Sequence, residues 1–388
     1  MCLQGCCTAL NVGSISAIVP AIAQEFGVSA FTVGRVNWAY MLPYGVCALF
    51  YGPLTRLFHN RQINIATFSL FAVFSFLSGC AAGYRALFVF RFLVGVFAGA
   101  TTPLVLIYLA DRVAAEKRGK YIGLFFSATF AADLTGLFLS GLVSWRWMFF
   151  IPAGLAVVTA ALTALFFPRT ETQRHAAQSR YIEALAQPAI WRAFAYIFLV
   201  SLFYHGVRQW LGVYFVQGLG WEQLRVSLAL TLCGLAGIFG EAFGGLSADR
   251  KGRLPTLKAG GLLMLAAVGA LIFLQTAWVI PVLMLIWGFG WAINHAGMST
   301  FLTDLDKRFM KEISSLNSSV RFVAGGVGVL VGGALFQQSF RLGFFVYTIF
   351  FGLLFLATDA ILIKRKQFLR CSGNCFGAER ESGAVRGR

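Results

Sequence analysis

Charge is what this chain has least of. Only 12% of its 388 residues are Asp, Glu, Lys or Arg, about half the ~25% of an ordinary soluble domain. A water-soluble fold needs charge to cover its surface, so that class is excluded. Disorder is excluded by the opposite requirement, because it needs low hydrophobicity and high charge. Here 58% of the residues are hydrophobic and the mean hydropathy is +0.74. Acidic residues are scarcer still, 15 against 32 Lys and Arg, for a formal charge of +17. That excess does not call for nucleic acid. The basic residues fall in short clusters between apolar stretches, as in the loops of an integral membrane protein, and not along one amphipathic face.

Other absences narrow the chemistry. The eight cysteines make no framework: Cys2, Cys6, Cys7, Cys47, Cys80 and Cys233 lie in apolar segments, where Cys behaves as a small hydrophobe. Cys371 and Cys375 sit in a polar tail with no His nearby, so neither a metal site nor a redox compartment follows. There is no Walker-type phosphate loop, no Ser-His-Asp array and no His-Glu-x-x-His. The chain is therefore read as neither a self-contained ATP-driven pump nor an enzyme, and no cofactor is called for.

What is present is apolar sequence in span-length pieces. A span takes ~20 apolar residues, and twelve such segments can be drawn: 3–23, 33–55, 63–83, 86–110, 119–143, 145–167, 193–217, 223–247, 255–274, 276–303, 314–338 and 341–363. The interval 168–192, with four Arg, two Glu and two Pro, is the longest polar one between spans. It divides the chain into a six-helix half at 1–167 and another at 193–363, followed by a Gly-, Ser- and Arg-rich tail at 364–388 that is expected to be disordered. The first span begins almost at Met1 with no basic residue before it, which reads as a helix short at its N-terminus and not as a signal peptide.

Sidedness follows from counting. The even-numbered connections and the tail carry 24 of the 32 Lys and Arg; the odd-numbered ones carry Arg35, Arg85, Arg146, Arg225 and Arg341; Arg91, Arg208 and Arg321 fall inside spans. The positive-inside rule places both termini in the cytoplasm, with the chain in a bacterial inner membrane and the bilayer as its surroundings. An internal repeat is legible as well. Gly52 precedes Gly245 by 193 residues and Asp111 precedes Asp304 by 193, so one offset relates two separate landmarks. A parallel duplication of a six-helix unit has that signature, and two such halves about an axis along the membrane normal form a known transporter plan.

These residues resemble the major facilitator superfamily. The loop Gly245-Leu-Ser-Ala-Asp249-Arg250-Lys251-Gly252-Arg253 matches its Gly-x-x-x-Asp-Arg-x-Gly-Arg signature at every fixed position. Arg91-x-x-x-Gly95-x-x-x-Gly99 is similar to its fourth-helix motif, Glu116-Lys-Arg118-Gly119 followed by Gly123 to its entry to the fifth helix, and Trp145-Arg146-Trp147 to its drug:proton antiporter branch. The likeness covers about residues 9–363. Two departures stand out. Arg56 and His59 replace the Asp and central Gly of the first-half loop, and Leu137 stands where the antiporter element, kept at Gly136, Ser140 and Gly141, has Pro. The resemblance implies an all-α polytopic membrane protein of twelve helices in two pseudo-symmetric six-helix bundles. It further implies a monomer that moves a small organic solute by alternating access.

Residue roles follow as expectations. Asp249, with Arg250, Arg253, Asp304 and Asp111, suits a charge network that latches the two halves in one conformation and releases in another; Asp249 is also placed to cap a helix N-terminus. Six ionisable residues, Arg91, Asp133, Arg208, Glu241, Arg321 and Asp359, lie within spans, where each costs ~2.5–3.5 kcal/mol at the bilayer centre unless a cavity or a partner receives it. Glu241, one turn before Gly245, is assigned to the latch, and Asp359 to the solvated inner interface. Asp133 and Arg208 lie at similar depth, so an ion pair between the halves is feasible. Asp133 is either a proton carrier or the structural partner of Arg208, and Arg91 either couples protons or packs helices. Tyr204, His205, Arg208 and Gln209 make a polar stripe on span seven. Trp287, Trp291, Asn294 and His295, at i, i+4, i+7 and i+8, make one on span ten. Aromatics with a few polar groups suit a pocket for an organic solute. Three functional readings remain: proton-coupled efflux, uptake of an anionic metabolite, and a transporter-like sensor that moves nothing.

Overall fold

The computed structural model describes residues 1–362 apart from Arg56, Ala114 and 169–179; the side chains of 110, 111, 115–120, 307 and 311 fall outside that description. No strand occurs among the described residues. The first half comprises α1 (Cys2–Gly13), α2 (Ile15–Phe26), α3 (Ala30–Leu54), α4 (Asn60–Gly79), α5 (Tyr84–Ala98), α6 (Thr101–Arg112), α7 (Ala115–Leu139) and α8 (Trp147–Phe166). A short α9 (Tyr181–Ala186) leads into the second half: α10 (Pro188–Val213), α11 (Gln223–Lys251), α12 (Arg253–Leu271), α13 (Val279–Thr303), α14 (Met310–Gln338) and α15 (Phe340–Leu362). With α1–α2 and α5–α6 each counted as one broken span, these are twelve.

The 193-residue offset aligns the helices of the two halves. Shifted by it, α3 falls on 223–247 within α11, α4 on 253–272 over α12, and α7 on 308–332 over α14; α8 falls on 340–359 within α15. The repeat extends to packing. A Cβ added to Gly95 would lie 2.2 Å from the Tyr40 carbonyl, and one added to Gly288 would lie 2.0 Å from the Cys233 carbonyl. Both residues of the second pair stand 193 positions after those of the first. Small residues let helix backbones touch, and the same touch is used twice.

Two spans that read as continuous are broken. The first bends by 52° between α1 and α2. Ser14 there turns its Oγ back onto the Leu10 carbonyl at 3.1 Å, and Pro20 withdraws the donor that Ser16 would accept from; both perturb the helical ladder. The fourth breaks at Gly99–Ala100, where Pro103 cannot donate to the Gly99 carbonyl. The seventh starts at Pro188, five residues before its apolar run, because Pro suits the first turn of a helix. It ends in a π-helical turn, Tyr214–Gly218.

Ten helical segments are long and apolar enough to cross a membrane, or eleven with the bent first pair. The remaining span is α3, which carries Arg35, Asn37, Trp38, Tyr40, Pro43 and Tyr44. Its surroundings account for this polarity, since α3 lies between α5 of its own half and α14 of the other. The halves also meet where α2 packs on α10 and α11, and where α7 packs on α11.

Candidate functional site

The centre of the molecule is built from α7, α10, α11, α13 and α14. Asp133 on α7 and Arg208 on α10 meet across the halves, Nη2 to Oδ2, at 3.2 Å. Their side chains keep 23% and 16% of their exposure, so neither is sealed off. Gly13 makes room for this pair, because a Cβ there would strike the Asp133 carboxylate. On the next turn of α10, Tyr204 stacks on Trp291 of α13 with centroids 3.7 Å apart and planes 8° apart. His205 meets the same indole edge-on at 5.9 Å. Arg321 of α14 holds Asn317 at 2.8 Å and reaches over Trp291 at 6.0 Å. Across the halves, Tyr44 of α3 stacks on Phe322 of α14 at 3.7 Å.

A second acid–base pair lies on the neighbouring helices α11 and α13. His295 Nδ1 lies 2.6 Å from Glu241 Oε1, an ion-pair approach without a well-aligned hydrogen bond. Glu241 thus meets His295 of α13, and no ion pair with the Asp249–Arg253 loop occurs among the described residues. Asp359 is likewise paired, with Lys258 Nζ at 2.7 Å. The cluster therefore balances Arg208 and Arg321 against Asp133 and Glu241, with aromatic faces between. Aromatic faces with a few polar groups suit an organic solute with an apolar body and a polar or charged end.

The other sequence candidates are placed as follows. Tyr204, His205, Arg208, Trp291 and His295 come together. Trp287 is 1% exposed, packed between Tyr204 and Phe351. Asn294 is buried on Tyr196 Oη and the Leu257 carbonyl at 2.7 and 3.0 Å. One α13 stripe thus divides into a buried packing face and a face that carries Trp291 and His295 to Tyr204 and Glu241. Gln209 accepts from Asn37 Nδ2 at 2.6 Å and ties the halves together. Arg91 is fully buried in the first half. It donates to the Asn11 side chain and lies over the Tyr40 ring at 4.4 Å, with no carboxylate pairing among the described residues.

The loop signature forms a charged cluster at the end of the second half that bears residue 252. Arg253 Nη1 reaches Asp249 Oδ1 at 2.8 Å and its Nε reaches Asp304 Oδ2 at 2.9 Å. Asp249 therefore holds Arg253 and does not cap α12, whose N-cap is Gly252. That glycine has φ 94°, a conformation that L side chains rarely adopt. Around Gly245 there is open space for a Cβ. Asp249 and Asp304 keep 68% and 53% exposure, Arg250 is also exposed, and no ion pair joins this cluster to the first half among the described residues. Asp111 lies in α6 with its side chain outside the described part, and Arg56 lies outside the described residues.

At the opposite end the halves are joined. Ser140 and Ser227 share a hydrogen bond of 2.8 Å, and Gln223 donates to the Ala17 carbonyl at 2.9 Å. Beside them Glu25 receives Trp145 Nε1 at 2.6 Å and Arg146 Nη2 at 2.5 Å, which fixes the Trp-Arg-Trp turn within the first half. The sequence reading missed Asn37, Gln223 and Glu25. The low apolarity of the second span was the one signal that pointed to Asn37.

Comparison with known proteins agrees with this fold. The model of the Major Facilitator Superfamily matches residues 1–329. An uncharacterized MFS-type transporter, YceJ of Bacillus subtilis, is 23% identical over 336 residues, 85% of this chain and 86% of that protein. The efflux pump aflT of Aspergillus parasiticus is 29% identical over 177 residues, 43% of this chain and only 34% of its own length. Among solved structures, the nucleoside transporter NupG superposes with TM-score 0.76 at 11% identity, covering 94% of this chain and 97% of its own. The human organic anion transporter MFSD10 gives 0.69 at 16%, covering 93% and 98%. A bacterial homolog of the lysosomal transporter Spinster, inward-facing and occupied, gives 0.73 at 13%, covering 92% and 96%. At these identities the superpositions bear on fold alone, and the family match carries the assignment: this chain belongs to the Major Facilitator Superfamily.

Proposed function

We propose that this protein is a secondary active transporter that moves a small organic solute by alternating access, as efflux driven by inward proton movement. The observation that carries the reading is the Asp133–Arg208 ion pair, one residue from each half, with both side chains partly exposed. A carboxylate at such a place exchanges its arginine for a proton when the halves move apart, so protonation and conformation are linked. The stacked Tyr204 and Trp291 beside it suit an aromatic or otherwise apolar solute body. The partial match to a protein named an efflux pump, and the Trp145-Arg146-Trp147 element of the antiporter branch, favour export. The protein acts as a monomer and carries out no covalent chemistry.

The charge asymmetry supports an orientation with both termini in the cytoplasm, read here as that of a bacterial inner-membrane protein. In that orientation the end joined by Ser140, Ser227 and Gln223 faces outward and the Asp249–Arg253–Asp304 cluster faces inward. A reporter that works only outside the cytoplasm, fused after Arg388, stays silent if this orientation is right and becomes active if it is reversed.

Uptake of an anionic metabolite is the second reading. Arg321 favours it, with a buried Nη2 that has no hydrogen-bond partner, as does the likeness to a protein named an organic anion transporter. Arg91 lends it no support, being enclosed in the first half. Flux measured in cells with and without a protonophore separates these readings. Dye export that the protonophore abolishes supports efflux, and accumulation of an organic acid supports uptake. No flux with any solute removes both and leaves a sensor that does not transport.

A further inference from the structure

The two ends of the molecule are held by different chemistry. At the latch end the groups are charged: Asp249, Arg253 and Asp304. At the joined end the bonds between the halves are neutral. Gln223 is the first residue of α11, and its Nε2 reaches two carbonyls of the other half, Ala17 in α2 at 2.9 Å and Ser140 beyond α7 at 3.4 Å. One turn along α11, Ser227 meets Ser140 at 2.8 Å, and Asn37 meets Gln209 at 2.6 Å.

Around these bonds the backbones touch. A Cβ on Gly212 would lie 1.9 Å from the Ser16 carbonyl, and one on Gly141 would lie 2.7 Å from Ser227 Cβ. The seam is nevertheless thin. Recesses of about 330 and 610 Å³ flank it, and both are lined by Ala21, Gln24 and Gln223. Gln223 is therefore the second-half side chain shared by both recesses, and it joins two separate elements of the first half to α11.

We propose that Gln223 is the pin of an uncharged seal, a positioning residue that must release both carbonyls before the halves part at this end. The inference rests on the reading that the halves rock against each other. Its consequence is an asymmetry between the ends. Salt screens exposed charges, so rising ionic strength loosens the latch and leaves the seal untouched.

Hydrogen exchange of the full-length protein in lipid nanodiscs tests this without a substrate. Gln223→Met keeps the length of the side chain but donates nothing. Gln223→Glu, as a carboxylate, accepts only and faces two carbonyl oxygens; protonated, it regains one donor. At neutral pH both variants should exchange about fivefold faster than wild type, the weight of one net hydrogen bond, in peptides covering 15–26, 136–147 and 209–228. Acidification, after correction for intrinsic rates, should return Gln223→Glu toward wild type and leave Gln223→Met unchanged. In the wild type, 1 M NaCl should not change exchange in these peptides. Unchanged exchange in the variants overturns the proposal, as does a rise spread equally into 60–79 and 253–271, which marks general loosening. Transport with no rise removes the pin alone, whereas a localised rise in a protein that moves no solute keeps the seal and removes the transporter reading.

Discussion

Asp133 of α7 and Arg208 of α10 meet at 3.2 Å across the two halves, and both side chains keep some exposure. An ion pair so placed has two separable consequences, one for stability and one for coupling. Asp133→Asn leaves Arg208 without its acid. Orphaning a fully buried partner costs ~3–5 kcal/mol, and the partial exposure of both side chains reduces that penalty. Asp133→Asn should therefore express and fold with a Tm a few degrees lower, and adding Arg208→Gln should restore most of the loss. A collapse of expression in the single variant would show the pair to be sealed from water.

The latch predicts the reverse balance. Its residues are exposed, and an exposed ion pair contributes ~0–1 kcal/mol, so Asp249→Asn should leave thermal stability near wild type. Transport should fall sharply, on the order of tenfold, because Arg253 then keeps only Asp304 when the halves must close at that end. Wild-type initial rates in Asp249→Asn would remove the gating role.

Trp287 and Trp291 lie one turn apart on α13 and should respond differently. Trp287 is enclosed by Tyr204 and Phe351, and truncating a buried aromatic costs ~3–5 kcal/mol; Trp287→Ala should lower Tm strongly. Trp291 presents its face to Tyr204 and is only partly buried. Trp291→Ala should raise KM for the transported solute with a smaller stability loss. Equal effects in both assays would mean that the two indoles do the same thing.

The fold was legible where chemistry repeats. The 193-residue offset found from Gly52/Gly245 and Asp111/Asp304 also relates Gly95 to Gly288 and aligns the helices of the halves. Charge depletion and run length gave the spans for the same reason: in lipid, backbone groups must bond within the segment. The breaks at Ser14 and Gly99–Ala100 were hidden because an apolar run continues through them. At the site, Asp133 and Arg208 were legible, since an ionisable residue at depth needs a partner. Asn37, Gln223 and Ser227 were not, because an amide or hydroxyl in an apolar run looks alike whether it bonds its own helix or one 172 residues away, as Asn37 does.

Two glycines with equally tight surroundings separate folding from rocking. Gly288 touches the Cys233 carbonyl within the second half, and Gly212 touches the Ser16 carbonyl across the halves. Gly288→Ala should impair assembly of its bundle and lower the yield. Gly212→Ala should leave both bundles folded but shift the population away from the state sealed at that end, seen as faster labelling of residues in 15–26. Equal yields with equal labelling would contradict the division.

The most direct test is proton movement measured together with solute movement. Purified protein reconstituted in liposomes with an imposed pH gradient should drive the solute uphill in the wild type. Asp133→Asn and the double variant Asp133→Asn/Arg208→Gln should retain solute binding and slow downhill exchange, with no response to the gradient. If the double variant is stable and still follows the gradient, Asp133 does not carry the proton and the coupling mechanism is wrong.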